Sequence, residues 1–129
     1  MDLNKVLIIG NLGKDPEMRF TANGTPVTSF SIAVNRTYSG PDGERHQETE
    51  WFNVVAWNKL AETCNQHLAK GRRAYIEGRL QTRSWEGQDG QTRYRTEIIA
   101  RDVIFLDRGT APLPDDEGEE SIEAEELPF

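Results

Sequence analysis

Thr49-Glu50-Trp51-Phe52-Asn53-Val54-Val55-Ala56-Trp57 is the densest aromatic stretch of the chain, and its reading decides the fold. As a β-strand it sends successive side chains to opposite faces. Phe52, Val54 and Ala56 then share one face, and Trp51, Asn53, Val55 and Trp57 the other. The first set is a small core. The second spaces two indoles about 20 Å apart along the strand with an amide between them, a spacing suited to flat objects laid along a track. The plain alternative is that both indoles are core, since tryptophan is usually well buried. The apolar set on the opposite face already supplies a core, and that favours the track.

Outward from this strand the pattern is of strands and turns. Pro26 to Tyr38 alternates Thr28, Phe30, Ile32, Val34, Arg36 and Tyr38 against Val27, Ser29, Ser31, Ala33, Asn35 and Thr37. Gly40-Pro41-Asp42-Gly43 is a loop signature, so this strand and the central one form a long hairpin whose tip bears Arg36 and Tyr38. Asn23-Gly24 is a turn signal, preceded by a short extended piece with Arg19 and Phe20. Asn4 to Leu12 holds four consecutive apolar residues, Val6 to Ile9, and leaves no polar face, as in strands covered on both sides. In a domain this small a second subunit is one source of that cover, through Leu7 and Ile9 or through Val6 and Ile8; an intramolecular core is the other.

Downstream, Asn58 is placed to cap a helix from Lys59 to about Lys70, with Leu60, Cys64 and Leu68 at spacing four and Gly71 ending it. Arg73 to Trp85 puts Ala74, Ile76, Gly78 and Leu80 on one face and Tyr75, Glu77, Arg79, Gln81, Arg83 and Trp85 on the other. Thr92 to Leu106 closes the sheet. Three strands, a helix and two strands predict an all-β, five-stranded Greek-key OB-fold barrel with one short helix between strands 3 and 4.

The 129 residues suit one domain, and the net charge of -7 is unevenly spread. Eight acidic residues and no Lys or Arg lie between Gly109 and Phe129, which leaves 14 acidic against 15 basic residues in positions 1–108. The chain is therefore a near-neutral body with an acidic tail, expected to be disordered. The division predicted is an OB-fold domain over 1–107 and a flexible tail over 108–129. Cys64 stands alone and with His67 makes too few ligands for a metal, so no metal and no cofactor are expected. No apolar run spans a membrane and the N-terminus lacks signal-peptide features, which predicts a cytosolic protein. Neither a phosphate-cradling glycine loop nor a nucleophile in catalytic context is found, so an enzyme is not expected.

Tyr38, Trp51, Trp57 and Trp85 stand on polar faces or tips, interleaved with Lys5, Arg19, Arg36, Lys59, Lys70, Arg72, Arg73, Arg79, Arg83, Arg93 and Arg95. Unpaired bases offer π-faces to stack on and one phosphate per nucleotide, so this combination predicts sequence-tolerant binding of single strands. A basic recognition helix for reading duplex DNA is lacking.

These residues also carry a resemblance. Asn4-Lys5-Val6, Gly10-Asn11-Leu12-Gly13, Asp15-Pro16, Asn35-Arg36-Thr37-Tyr38, Trp51 to Trp57 with Lys59-Leu60-Ala61-Glu62, Lys70-Gly71, Gly78 to Arg83 and the terminal Glu-Leu-Pro-Phe closely resemble the bacterial single-stranded DNA-binding proteins. The resemblance implies an OB-fold homotetramer without catalytic activity, in the cytoplasm and associated with the nucleoid. Such a protein protects single-stranded DNA in replication, recombination and repair and recruits replication and repair enzymes through its C-terminal tip. By position it implies base stacking at Trp51, Trp57, Trp85, Tyr38 and Phe20, and a partner-binding tip of Glu125, Glu126, Leu127, Pro128 and Phe129. The preference for DNA over RNA is implied by the resemblance alone. The tail departs from the family pattern: about twenty residues replace a longer Gly-, Gln- and Pro-rich linker, with a reach of about 25 Å. The competing reading is an OB-fold adaptor in which the aromatics serve protein partners.

Overall fold

The structure, a computed structural model, describes residues 1–106; the acidic tail and its tip lie outside the described residues. Six strands and one helix follow in the order β1 (Val6–Leu12), β2 (Glu17–Phe20), β3 (Pro26–Ser39), β4 (Arg45–Trp57), α1 (Asn58–His67), β5 (Arg73–Glu86) and β6 (Thr92–Phe105). The five long strands close into a ring in which β1 pairs with β5, β5 with β6, β6 with β4, β4 with β3, and β3 with β1. This is the expected five-stranded barrel with its helix between the third and fourth strands. The short piece around Arg19 is a sixth strand, β2, hydrogen-bonded along the outside of β3.

The ring is unevenly joined. The β3–β4 ladder runs unbroken from Val27↔Trp57 to Ser39↔Arg45, and the β5–β6 ladder reaches from Ala74↔Phe105 to Glu86↔Thr92. Two pairs, Asn11↔Ala33 and Leu12↔Ile32, join β1 to β3, and two parallel pairs, Val54↔Ile98 and Val55↔Ile99, join β4 to β6. Strands this long outrun the barrel, so the ends of both hairpins project as arms with both faces in solvent. Leu80 shows the effect: by alternation it shares the face of the buried Ala74 and Ile76, yet it is 44% exposed because β5 has left the barrel there.

Phe30, Ile32, Val54, Ala56, Ala74 and Ile76, each on a face that alternation sets out in the sequence, are buried together with Leu12, Ile98 and Ala100. Ala61 and Cys64 of α1, with Leu68 just beyond it, complete this cluster. Burial in this apolar setting pushes the Cys64 thiol up to about 12, which keeps it a neutral packing group. Thr28 is fully buried among them and donates from Oγ1 to the Ala61 carbonyl at 2.7 Å, which ties β3 to the helix.

The helix differs from expectation at both ends. Trp57, in extended backbone, is its N-cap, and no side chain caps it. Asn58 instead takes φ +62, the left-handed region that Asn tolerates better than most residues, and so turns β4 straight into α1 without a loop. The helix stops at His67 because Leu68 adopts extended backbone and is buried. The segment that follows is captured by β1, with Gly71 N donating to Leu12 O and Leu12 N donating to Arg72 O, both at 2.9 Å. Gly71, at φ +86, serves this turn rather than the helix end.

The alternatives left open on β1 are now separated. Val6 and Ile8 pack against the core. Leu7 is 57% exposed, and Ile9 stands in register with Tyr75 of β5, which in turn pairs with Ile104 of β6. A strip of apolar side chains thus lies on the outer surface of β1, β5 and β6.

Candidate nucleic-acid interface

Pairing register places the outer faces of four strands side by side. One row runs Arg79 on β5, Ile99 on β6, Val55 on β4 and Ser29 on β3. On this surface β4 carries Trp51, Asn53, Val55 and Trp57, while β5 carries Arg79, Gln81, Arg83 and Trp85. β6 contributes Arg93, Arg95, Glu97 and Ile99. Opposite the β4 residues stand Ala33, Ser31, Ser29 and Val27 of β3, all small, so the two indoles rise from a low floor. Trp51, Trp57 and Trp85 are 58%, 41% and 40% exposed. The core alternative for these residues fails on that exposure.

The seat of Trp51 is built by the loop after β1. Gly13 N donates to the Ser31 carbonyl at 3.1 Å, which draws the loop against the floor. A methyl group added at Gly13 would stand 2.5 Å from Cζ3 and 2.8 Å from Cη2 of Trp51, so the indole rests where only a glycine leaves room. We expect Gly13→Ala to swing the ring aside without disturbing the core. Its affinity for a single strand should then match that of Trp51→Ala, with circular dichroism melting unchanged within about 3 °C; an affinity equal to wild type would refute this seat.

The same registers divide the other expected contacts. Arg19 pairs with Val27, itself opposite Trp57, and so joins the floor surface. Phe20 and Tyr38 alternate to the opposite side. Phe20 is exposed beside Pro26, and Tyr38 stacks on His46 at 5.5 Å with the Arg36 guanidinium 4.8 Å from its ring. Arg36 is also held by Glu48 at 2.8 Å, which raises its already high pKa. Lys59, Lys70 and Arg72 lie by α1 and the turn after it. Lys5, in ion pair with Glu77 at 3.2 Å, and Arg73, bonded to Asn11 at 3.0 Å, lie on the β1–β5 side near Leu7 and Ile9. Three tryptophans and Arg19, Arg79, Arg83, Arg93 and Arg95 therefore share the outward side of one sheet, and the remaining candidates lie elsewhere.

Trp85 has the Arg83 guanidinium 5.2 Å from its ring, close enough for a cation–π contact. Arg93 is tied to Asp89 at 2.9 Å, and Arg79 donates to Gln81 at 2.9 Å. One participant escaped the sequence reading: Glu97, buried on this face between arginines. The signal was present in Arg93-Tyr94-Arg95-Thr96-Glu97, where alternation puts a carboxylate on the arginine side. Among the described residues no three His, Cys, Asp or Glu side chains cluster as a metal site requires, and no helix is long and apolar enough to cross a membrane.

A closed OB barrel with exposed indoles and arginines on one sheet face falls in the class of OB-fold binding proteins. Residues 3–106 match the single-strand binding protein family, and the chain belongs to that family, whose members are binding proteins rather than enzymes. It is 50% identical over 105 residues to single-stranded DNA-binding protein 1 of Chlorobaculum tepidum, covering 81% of this chain and 65% of that protein. It is 45% identical over 121 residues to the single-stranded DNA-binding protein of Caldanaerobacter subterraneus, covering 91% of this chain and 79% of the relative. Among solved structures it is similar to one described as Plasmodium falciparum SSB in complex with single-stranded DNA. There the TM-score is 0.77 and the identity 34%, over 83% of this chain and 97% of that one. The chain thus spans just under two thirds of the Chlorobaculum relative's length.

Proposed function

We propose that this protein binds single-stranded DNA without regard to sequence, stacking bases on Trp51, Trp57 and Trp85 while Arg19, Arg79, Arg83, Arg93 and Arg95 meet the phosphates. The observation that carries this reading is three exposed indoles on the outward side of strands that pair into one sheet. Family membership favours DNA as the single strand. The test is titration with oligo-dT at several salt concentrations, followed by tryptophan fluorescence. Quenching at saturation and an affinity falling linearly with salt on logarithmic axes are expected. Unquenched indoles would favour the adaptor reading.

The working unit in this proposal is a homotetramer in the cytoplasm, associated with the nucleoid and serving replication, recombination and repair. Leu7 and Ile9, continued by Tyr75 and Ile104, form the apolar strip available to other subunits. Sedimentation of a lone 14.7 kDa chain at micromolar concentration would refute the oligomer.

Residues 108–129 act as a tail that competes with DNA for the body over 1–107 and carries a partner-binding tip. Eight tethered carboxylates rival the DNA polyanion at high effective concentration. Deleting Gly109 to Phe129 should tighten oligo-dT binding, most at low salt where the Debye length is long, and abolish recruitment of replication and repair enzymes. Deleting Phe129 alone should abolish recruitment yet leave DNA affinity unchanged, because it removes an apolar anchor and no acidic side chain. Tightening equal to that of the full deletion would overturn the charge-competition account.

A further inference from the structure

Glu97 is the only buried charged side chain among the described residues, and it lies on the face proposed to meet DNA. Its side chain is 9% exposed, and its Oε2 faces Nη2 of Arg83 at 3.5 Å and Nε of Arg95 at 3.8 Å. Arg83 and Arg95 are themselves direct cross-strand partners, and like charges in that position repel. Glu97 sits opposite Gln81, diagonal to Arg83 and two residues along the same face from Arg95. One carboxylate oxygen therefore serves both guanidinium groups, while the arginines remain about half exposed, at 54% and 46%.

We propose that Glu97 is a built-in counter-anion that sets the charge a DNA strand meets here. Arg83, Arg95 and Glu97 act as a unit with one net positive charge, which takes one phosphate where two free arginines would take two. A surface carboxylate would be largely screened by salt, whereas this one is shielded from solvent and keeps its hold on the arginines. Glu97 is thus a positioning and affinity-limiting residue: it aims two side chains toward the strand and holds their joint attraction low enough for the strand to exchange. The inference rests on the DNA-binding reading above.

The test compares the full chain with Glu97→Gln, which keeps the shape of the side chain and removes its charge, in oligo-dT titrations across a tenfold range of salt. Glu97→Gln should bind more tightly at the low end, and its slope of log affinity against log salt should be steeper by about 0.7, the value of one further phosphate on a single strand. Its advantage then shrinks about fivefold over the tenfold rise in salt. A slope equal to or shallower than wild type would overturn the proposal. If Glu97→Gln melts before titration is practical, Arg83→Gln and Arg95→Gln decide. Each should lower the slope by about 0.7 and the double variant no further; a double variant losing about 1.4 overturns the shared unit. A wild-type chain that fails to bind oligo-dT sinks the DNA-binding reading and this inference with it. Binding by the wild type with an unchanged slope in Glu97→Gln sinks the inference alone.

Discussion

Trp51→Ala, Trp57→Ala and Trp85→Ala should each weaken oligo-dT binding by about 1 to 3 kcal/mol, which is roughly 5- to 150-fold in Kd. In the proposed reading each indole is a separate platform on the same sheet face, so each substitution would remove one stacked base and leave the arginines in place. The slope of affinity against salt should therefore stay near the wild-type value while the affinity falls. Tyr38→Ala is the internal control. Its ring lies on the other side of the β3–β4 arm, stacked on His46, and its removal should cost far less than that of any tryptophan. Equal losses for Tyr38→Ala and Trp57→Ala would show that the strand takes a path this face does not define.

A large effect on stability should come from Gly10→Ala. Gly10 faces the barrel interior where β1 approaches β3, and a methyl group there would be driven into the carbonyl oxygen of Ala33 and stand 2.6 Å from Cγ2 of Ile32. The side chain of Ile32 is fully buried, and the backbone of Ala33 is paired with β1 on one side and with Trp51 of β4 on the other, so neither can retreat. Overpacking typically costs about 1 to 3 kcal/mol, and a site where backbone has to move lies at the upper end. For a domain of this size the melting temperature should drop by about 12 °C or more. Melting within about 3 °C of wild type would mean that the β1–β3 junction is looser than the structure shows.

The barrel was legible in the sequence because alternation in Thr49 to Trp57 separates a core set from an indole set, and because one helix interrupts five long strands after the third. What alternation could not supply was the relation between faces of different strands. Whether Arg19 or Phe20 neighbours Trp57 depends on the β2–β3 and β3–β4 registers, which are fixed by pairing and turn geometry rather than by composition. Leu80 alternates with the buried Ala74 and Ile76 but lies beyond the reach of the barrel, a matter of strand length. The helix ends early because β1 supplies backbone partners to the turn after it, a contact between segments distant in the chain. Glu97 was passed over because a glutamate in an arginine-rich strand reads as a solvated neighbour until closure of the sheet buries it.

The two narrow junctions of the ring divide the barrel mechanically. One plate is the β3–β4 hairpin with β2 at its edge; the other is β1, β5 and β6, and each junction between them is two residue pairs wide. Trp51, Trp57 and Arg19 ride on the first plate, and Trp85 with Arg79, Arg83, Arg93 and Arg95 rides on the second. A nucleic-acid strand seated on both sets of indoles would lie across the seam like a strap, adding rungs where the protein has fewest. In the proposed reading a bound strand is therefore also a brace, adding contacts across the two junctions that the protein joins most narrowly.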